Sequence, residues 1–102
     1  MTTHENRLCQ MADRIIHEVL EEGKGQGHAP DDFVPLDAAA HMGRAARHLL
    51  SASLMHEGHI PDDAEGSEGH LRNALVRTAM ALYVLRSKKV LAFERKISEN
   101  NT

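Results

Sequence analysis

Apolar side chains recur every three or four residues in three stretches of the chain, and this spacing predicts three amphipathic α-helices. The first helix covers residues 7–22 and ends at Gly23, after a polar and flexible start over residues 1–6. The second helix covers residues 35–55, with Pro35 in its first turn. A Gly-rich turn and a loop separate the two helices.

The third helix begins after Ser67, a residue type that caps helix N-termini well. It runs to about residue 98, and residues 87–89 either kink it or divide it from a short fourth helix. Two apolar stripes wind around it. We therefore predict that it is buried on two sides, against its own chain and against a second chain. Residues 99–102 form a flexible C-terminus.

Small residues are frequent in the predicted core stripe of the second helix and permit close approach of a neighbouring helix. That stripe consists of Ala39, Met42, Ala46, Leu49, Leu50 and Ser53. We predict one all-α domain over residues 7–98, with three to four helices. The second and third helices form a helical hairpin, and homo-oligomerisation completes the bundle.

Size and composition support this fold. The chain has 102 residues, with two Phe, one Tyr and no Trp, so aliphatic side chains must form the core. A chain of this length buries only roughly 60–65% of its unfolded surface, and self-association would cover more. The single Cys9 excludes an internal disulfide. No apolar run approaches the ~20 residues of a membrane span, so we expect a soluble, cytoplasmic protein.

Charge is distributed unevenly along the chain. Residues 1–66 carry 5 Lys or Arg and 12 Asp or Glu, whereas residues 67–102 carry 7 and 3. This asymmetry favours self-association, or contact between the basic third helix and phosphate. Duplex nucleic acid is a poor candidate, because the acidic chain lacks both stacking aromatic residues and a recognition motif.

Histidine and arginine cluster on the predicted hairpin, and this clustering predicts an anion site. His41, Arg44 and His48 lie at positions i, i+3 and i+7, so they share one helix face. Arginine offers a planar fork of donors that matches phosphate oxygens, and a helix N-terminus also favours phosphate. The alternative is a solvated or subunit-facing stripe. The residues predicted to bind the ligand are Arg44, Arg47, His48, His70, Arg72 and Asn73.

The loop of residues 56–70 is the candidate metal site. It holds five acidic residues and two histidines three positions apart, His56 and His59. Carboxylate oxygens suit Mg²⁺ or Mn²⁺, and we predict Asp62 and Asp63 as the metal ligands. Loops rich in Gly, Pro and acids are also common without a metal. A second carboxylate pair, at Glu18 and Glu21 on the first helix, has a spacing that could also hold Mg²⁺.

Several short motifs follow one another over roughly 40 residues of the hairpin. They are Ala45-Ala46-Arg47-His48-Leu49-Leu50, Gly58, Asp62, Gly66, Gly69, His70-Leu71, Asn73-Ala74-Leu75 and Ala81-Leu82. In this order they resemble a family of small, mostly phage-encoded helical proteins, the dATP/dGTP diphosphohydrolase N-terminal domains.

That resemblance implies an all-α protein that handles purine deoxynucleoside triphosphates and releases pyrophosphate with Mg²⁺. His48, Asp62 and His70 are the positions that carry over. Helical nucleotide pyrophosphohydrolases carry two carboxylate pairs on facing helices, whereas the third helix here has no acid between Glu68 and Glu94. This departure weighs against catalysis more than against nucleotide binding.

Three functions stay open at this point. The first is a helical oligomer that binds a nucleotide or another phosphate ligand, with metal-dependent hydrolysis of deoxynucleoside triphosphates as an added activity. The second is a non-catalytic interaction protein, such as a phage-type inhibitor or a sponge for a signalling nucleotide. The third is a structural oligomer whose eight histidines tune assembly with pH. The clustering of histidine and arginine on one hairpin favours the first.

Overall fold

Three α-helices joined by two loops make up the fold. The computed structural model describes residues 1–100, except for the side chains of residues 89–95, 98 and 100. The helices are α1 (Thr3–Gly25), α2 (Ala38–His56) and α3 (Gly66–Asn100). No strand occurs within this described part, and the prediction of an all-α fold is confirmed.

Capping side chains explain where two helices begin. The hydroxyl of Thr2 accepts a hydrogen bond from the backbone N–H of Glu5, so α1 begins earlier than the predicted residue 7. A carboxylate oxygen of Asp37 accepts from the N–H of Ala40. Pro35 therefore lies in the loop ahead of α2, and not in its first turn.

α3 continues as a single helix through residues 87–89. Of the two alternatives predicted there, a kink or a division into a short fourth helix, the division does not occur. The chain therefore has three helices over the part that the structure describes. None of these helices, within the same residues, has both the length and the apolar character that crossing a membrane requires.

α2 and α3 form an antiparallel hairpin that packs mainly through small side chains. Alanine at the contact lets two helix backbones approach closely. Among the side chains that the structure describes, the buried ones of the hairpin are Ala38, His41, Ala45, Ala52 and Met55 on α2, and His70, Ala74, Val76, Ala81 and Val84 on α3.

The stripe of α2 that we predicted as core is exposed in the single chain. Met42, Leu49 and Leu50 are between 49% and 61% exposed, and the other predicted members, Ala39 and Ser53 among them, are at least partly on the surface. That prediction is therefore wrong for the single chain. The neighbouring face turns inward because its alanines permit closer packing and its histidines find polar partners there.

α1 lies against α3 and contains no fully buried residue. Leu20 and Val76 share a small apolar pocket between the two helices. Beside it, Arg72 Nη2 donates to carboxylate oxygens of Glu18 and Glu22, both at 3.2 Å. The hydrogen bond to Glu22 raises the pKa of Arg72. Apolar side chains around this pocket and a surface ion-pair network thus lie where α1 meets α3. Exposed ion pairs of this kind contribute only about 0.2–1 kcal/mol each.

His41 joins the hairpin to the loop that precedes it. Its side chain is completely buried, and its Nε2–H donates to the carbonyl oxygen of Phe33 at 2.8 Å. Its Nδ1 accepts from Arg77 Nη1 at 3.3 Å, which assigns the neutral Nε2–H tautomer. The ring of Phe33 also stands edge-on to the rings of His41 and Tyr83. One imidazole therefore connects the loop, α2 and α3.

We predict that His41→Leu lowers the free energy of unfolding by about 2–3 kcal/mol, because Phe33 and Arg77 each lose a partner away from bulk water. Urea denaturation followed by circular dichroism measures this change. His56→Leu on the same helix is the matched control, since His56 is exposed. Equal stabilities of the two variants would show that His41 is not a structural connection.

Candidate functional site

A groove of about 840 Å³ lies between α1, the loop of residues 26–37 and the hairpin. Leu20 and Phe33 contribute to its apolar wall on the α1 side. The hairpin contributes polar and charged side chains, and those used below are Arg44, His48, Glu65, Asn73 and Arg77. The volume is within the range of small-molecule sites in proteins, roughly 300–1,000 Å³.

Two guanidinium groups, those of Arg44 and Arg77, line this groove near each other. Burial lowers the pKa of Arg77, and the positive charge of Arg44 lowers it further. Among the arginine side chains that the structure describes, only that of Arg72 forms an ion pair. Arg44 and Arg77 thus present donors to the groove without a neutralising carboxylate, an arrangement that favours an anion.

The other two predicted arginines are placed differently. Arg72 is at the edge of the groove, where Glu18 and Glu22 already neutralise its charge. Arg47 is exposed on α2 and is not part of the groove lining. Of the three predicted arginines, Arg44 is therefore the one best placed to meet a ligand. Arg77, which the sequence did not single out, joins it.

His48 and His70 meet across the interface of α2 and α3, with their Nδ1 atoms 2.9 Å apart. His70 Nε2 donates to Asp63 Oδ2 at 2.6 Å. In the neutral ring this assigns His70 Nδ1 as an acceptor, and His48 Nδ1–H as its donor. Glu65 Oε2 lies 3.3 Å from His70 Nδ1 and 4.0 Å from His48 Nδ1. We call His48, Glu65 and His70 the histidine–glutamate cluster.

The surroundings of His48 favour the neutral form of its ring. Burial lowers its pKa, and the positive charges of Arg77 and Arg47, together with that of His70 whenever its ring is protonated, act in the same direction. The carboxylate of Glu65 acts against them, with a smaller effect than burial. Neutral imidazole is the form that offers a lone pair to a metal ion.

Asp63 orients His70. Its Oδ1 accepts from the backbone N–H groups of Glu65 and Gly66, both at 2.9 Å, while its Oδ2 accepts from His70. These hydrogen bonds, above all the one from His70, lower the pKa of Asp63. Both oxygens of the predicted metal ligand are therefore engaged with protein donors. Asp62 is exposed and outside the cluster, and its role as a metal ligand stays a prediction.

Glu65 is the member of the cluster that sequence reasoning missed. It is one of five acids in the loop of residues 56–70, and nothing in its spacing distinguishes it from the other four. The fold places it beside both His48 and His70, and Asn73 Nδ2 donates to its Oε2 at 2.9 Å. Asn73 therefore contacts a carboxylate rather than an unoccupied part of the groove.

The remaining loop histidines stay outside the cluster. His59 Nε2 lies 3.3 Å from Glu57 on the surface, where both side chains are more than half exposed. His56 is exposed at the end of α2. The pair His56 and His59 of the candidate metal loop thus does not meet in the fold. The pair that does meet is His48 and His70, which the sequence analysis named as ligand-binding residues.

Comparisons of the chain with protein-family models, with curated proteins and with solved structures find no match. The groove and the histidine–glutamate cluster are therefore the basis for assigning a function. The resemblance to dATP/dGTP diphosphohydrolase domains stays a prediction.

We predict that Asp63→Asn lowers the melting temperature. The difference in melting temperature between this variant and the wild type should become smaller in acid. The native pKa of Asp63 is below the ordinary 3.8, so the unfolded state binds this proton more readily. The carboxylate therefore stabilises the fold above the unfolded-state pKa, and this contribution is lost as the pH falls through the native pKa.

Thermal melts followed by circular dichroism between about pH 5 and pH 2.5 cover this range. Asp62→Asn is the matched control, because Asp62 is the exposed neighbour of Asp63 in the same loop. A difference between Asp63→Asn and the wild type that stays constant over the whole range would contradict the assigned hydrogen bonds.

Proposed function

We propose that this protein binds a phosphate-bearing small molecule, of nucleotide size, in the groove between α1 and the hairpin. The observation that carries the proposal is the pair Arg44 and Arg77, which share the groove without a carboxylate partner among the described residues. Two like charges at one site destabilise each other's charged forms. A bound anion would remove that repulsion and gain charge-assisted hydrogen bonds from both groups.

The remainder of the groove supports a nucleotide over a bare phosphate ion. Its volume of about 840 Å³ is far larger than an isolated phosphate needs. Leu20 and Phe33 supply an apolar surface on the α1 side, on which a base could lie. This combination of an apolar wall and a few convergent polar groups is typical of cofactor and nucleotide sites.

Binding is favoured over hydrolysis by the positions of the acids on α1. Glu18 is paired with Arg72, whereas Glu21 accepts from Lys24 Nζ at 2.9 Å. The two carboxylates of the candidate Mg²⁺ pair are thus engaged with different cations. Hydrolysis of deoxynucleoside triphosphates, which the family resemblance implies, is therefore a secondary expectation.

We expect Arg44→Gln to weaken the binding of dGTP and of inorganic pyrophosphate by about tenfold or more, the effect of losing a hydrogen bond to a charged group. Isothermal titration calorimetry of the full chain measures both affinities. Arg47→Gln is the matched control, since it removes the same charge from the same helix outside the groove. Arg47→Gln should change both affinities by less than about twofold, because its only effect is the loss of a charge that solvent and salt screen from the groove.

Unchanged affinity in Arg44→Gln, or equal losses in both variants, would overturn the proposed anion site. Including Mg²⁺ and measuring released pyrophosphate in the same samples distinguishes a binding protein from a pyrophosphohydrolase. If Glu18→Gln still releases pyrophosphate, the carboxylate pair on α1 is not the catalytic group.

A second property, self-association, is favoured by an apolar face on the hairpin. Its six largest side chains are between 36% and 52% exposed, and contiguous exposed apolar patches mark interaction surfaces. We call this surface the leucine face. It consists of Met42, Ala46, Leu49 and Ser53 on α2, and Leu71, Leu75, Thr78, Leu82 and Leu85 on α3.

The spacing within the leucine face indicates what covers it. On both helices its members follow alternating steps of three and four residues, which is the period of helix-to-helix packing. The face is on the side of the hairpin away from the helical positions that contact α1. We infer that a second copy packs here, so that two hairpins form a four-helix bundle with an isologous interface.

We predict that the wild type is a dimer at micromolar concentration and that Leu82→Glu is a monomer, because the substitution buries an unpaired charge at the interface. Sedimentation velocity measures the molar mass of each. Val34→Glu is the matched control, as Val34 is a similarly exposed apolar residue, 46% exposed, in the loop before α2. A monomeric wild type would refute this assignment of the leucine face.

A further inference from the structure

We propose that the histidine–glutamate cluster is a binding site for one divalent transition-metal ion of the zinc class. The ligand atoms would be His48 Nδ1, His70 Nδ1 and Glu65 Oε2, which all lie within 4.8 Å of one another. This site is distinct from the Asp62 and Asp63 pair that the sequence indicated. It also stands independently of the proposed anion binding by Arg44 and Arg77.

The three ligand atoms have separations that match one face of a metal tetrahedron. Metal–ligand bonds of about 2.0–2.1 Å place neighbouring ligand atoms roughly 3.3 Å apart. The observed separations are 2.9 Å between His48 and His70, 3.3 Å between His70 and Glu65, and 4.0 Å between His48 and Glu65. Shifts of well under 1 Å in side-chain positions would equalise them, and no backbone rearrangement is needed.

The hydrogen bonds of the cluster explain why a cation fits it. In its neutral form, with Nε2–H donated to Asp63, the ring of His70 would direct the lone pair of Nδ1 towards the same place as the carboxylate of Glu65. Two acceptors 3.3 Å apart repel each other unless a positive species lies near both. His48 donates its Nδ1–H to His70 Nδ1. In the Nε2–H tautomer of His48, Nδ1 would instead present a third lone pair. A metal ion satisfies all three acceptors together.

The residues around the cluster already have the positions of an outer ligand shell. Asp63 accepts from His70 Nε2 at 2.6 Å, which is the carboxylate–histidine–metal arrangement that fixes the tautomer and raises the basicity of the ring. Asp63 is itself held by two backbone N–H groups. Asn73 donates to Glu65 Oε2, the oxygen that would bind the ion. The two proposed ligands on α3 and its preceding loop, His70 and Glu65, are thus each oriented by a hydrogen bond.

The ligand set also indicates the class of metal and the character of the site. Two imidazole nitrogens and one carboxylate suit Zn²⁺, Co²⁺ or Ni²⁺ better than Mg²⁺ or Ca²⁺, which prefer oxygen ligands. Three protein ligands leave a fourth position for water or a ligand, as in catalytic rather than structural zinc sites. His48 and Glu65 line the groove, so this position would face the same space as Arg44 and Arg77.

Zinc titration of the full chain without a polyhistidine tag, in competition with a chromophoric chelator and without any phosphate ligand, tests the proposal. We expect one Zn²⁺ per chain in the wild type. Glu65→Gln and His48→Gln should each weaken binding by more than about 100-fold, and Asp63→Asn by about 10–100-fold as an outer-shell residue. Co²⁺ substitution should give the visible absorption of a low-coordinate site, and Glu65→Gln should abolish it.

His59→Gln is the matched control, because His59 is also a histidine beside a carboxylate, but no third ligand lies near it among the described residues. Circular dichroism checks that each variant is folded, and Glu65→Gln keeps the size and hydrogen-bonding capacity of a loop side chain. Equal zinc affinity in the wild type, Glu65→Gln and His59→Gln would show scattered binding to surface histidines and overturn the proposal. A wild type that binds no zinc would overturn it as well. Arg44→Gln should bind zinc with the affinity of the wild type, so the proposed anion site and the proposed metal site are tested independently.

Discussion

The interface of α2 and α3 buries imidazole rings where apolar side chains ordinarily pack, and each of their nitrogens that is removed from water needs a partner. Among the described residues, every buried side-chain nitrogen or oxygen has a hydrogen bond. His41 obtains its partners from Phe33 and Arg77, whereas His48 obtains one from His70. Two histidines seven positions apart on one helix therefore determine where the preceding loop lies and how α3 is aligned with α2.

The same constraint prepares the groove for a ligand. Arg77 is held by the fully buried His41, so its guanidinium is fixed before any anion arrives. His48 is held at the edge of the cluster by His70, which Asp63 fixes in turn. Groups that are already ordered lose little conformational entropy on binding. The contacts that stabilise the hairpin and those that would recognise a ligand are therefore made by the same side chains.

Periodicity was sufficient to predict the three long helices and the hairpin, because a 3.6-residue repeat of apolar positions has few other interpretations. It left open a short fourth helix, which does not occur in the part of the chain that the structure describes. It was not sufficient to choose the buried face of α2. The stripe with Met42 and Leu49 is the more hydrophobic one, yet the alanine stripe with Ala45 and Ala52 is buried. The hydrophobicity of a stripe does not indicate how closely its alanines let two helix backbones approach. It also does not indicate whether a histidine finds a hydrogen-bond partner on another helix. Glu65 was missed for a related reason, since only the path of the loop brings it to His48.

The groove and the leucine face lie on different sides of the hairpin, and this separation bears on how ligand binding and assembly relate. A second copy on the leucine face would leave Arg44, Arg77 and the histidine–glutamate cluster accessible. Any energetic coupling between the two surfaces must then pass through the interface of α2 and α3, since both surfaces are built on these helices. A metal ion bound by His48 and His70 would join the two helices directly, and so would restrict the sliding or rotation that such coupling requires.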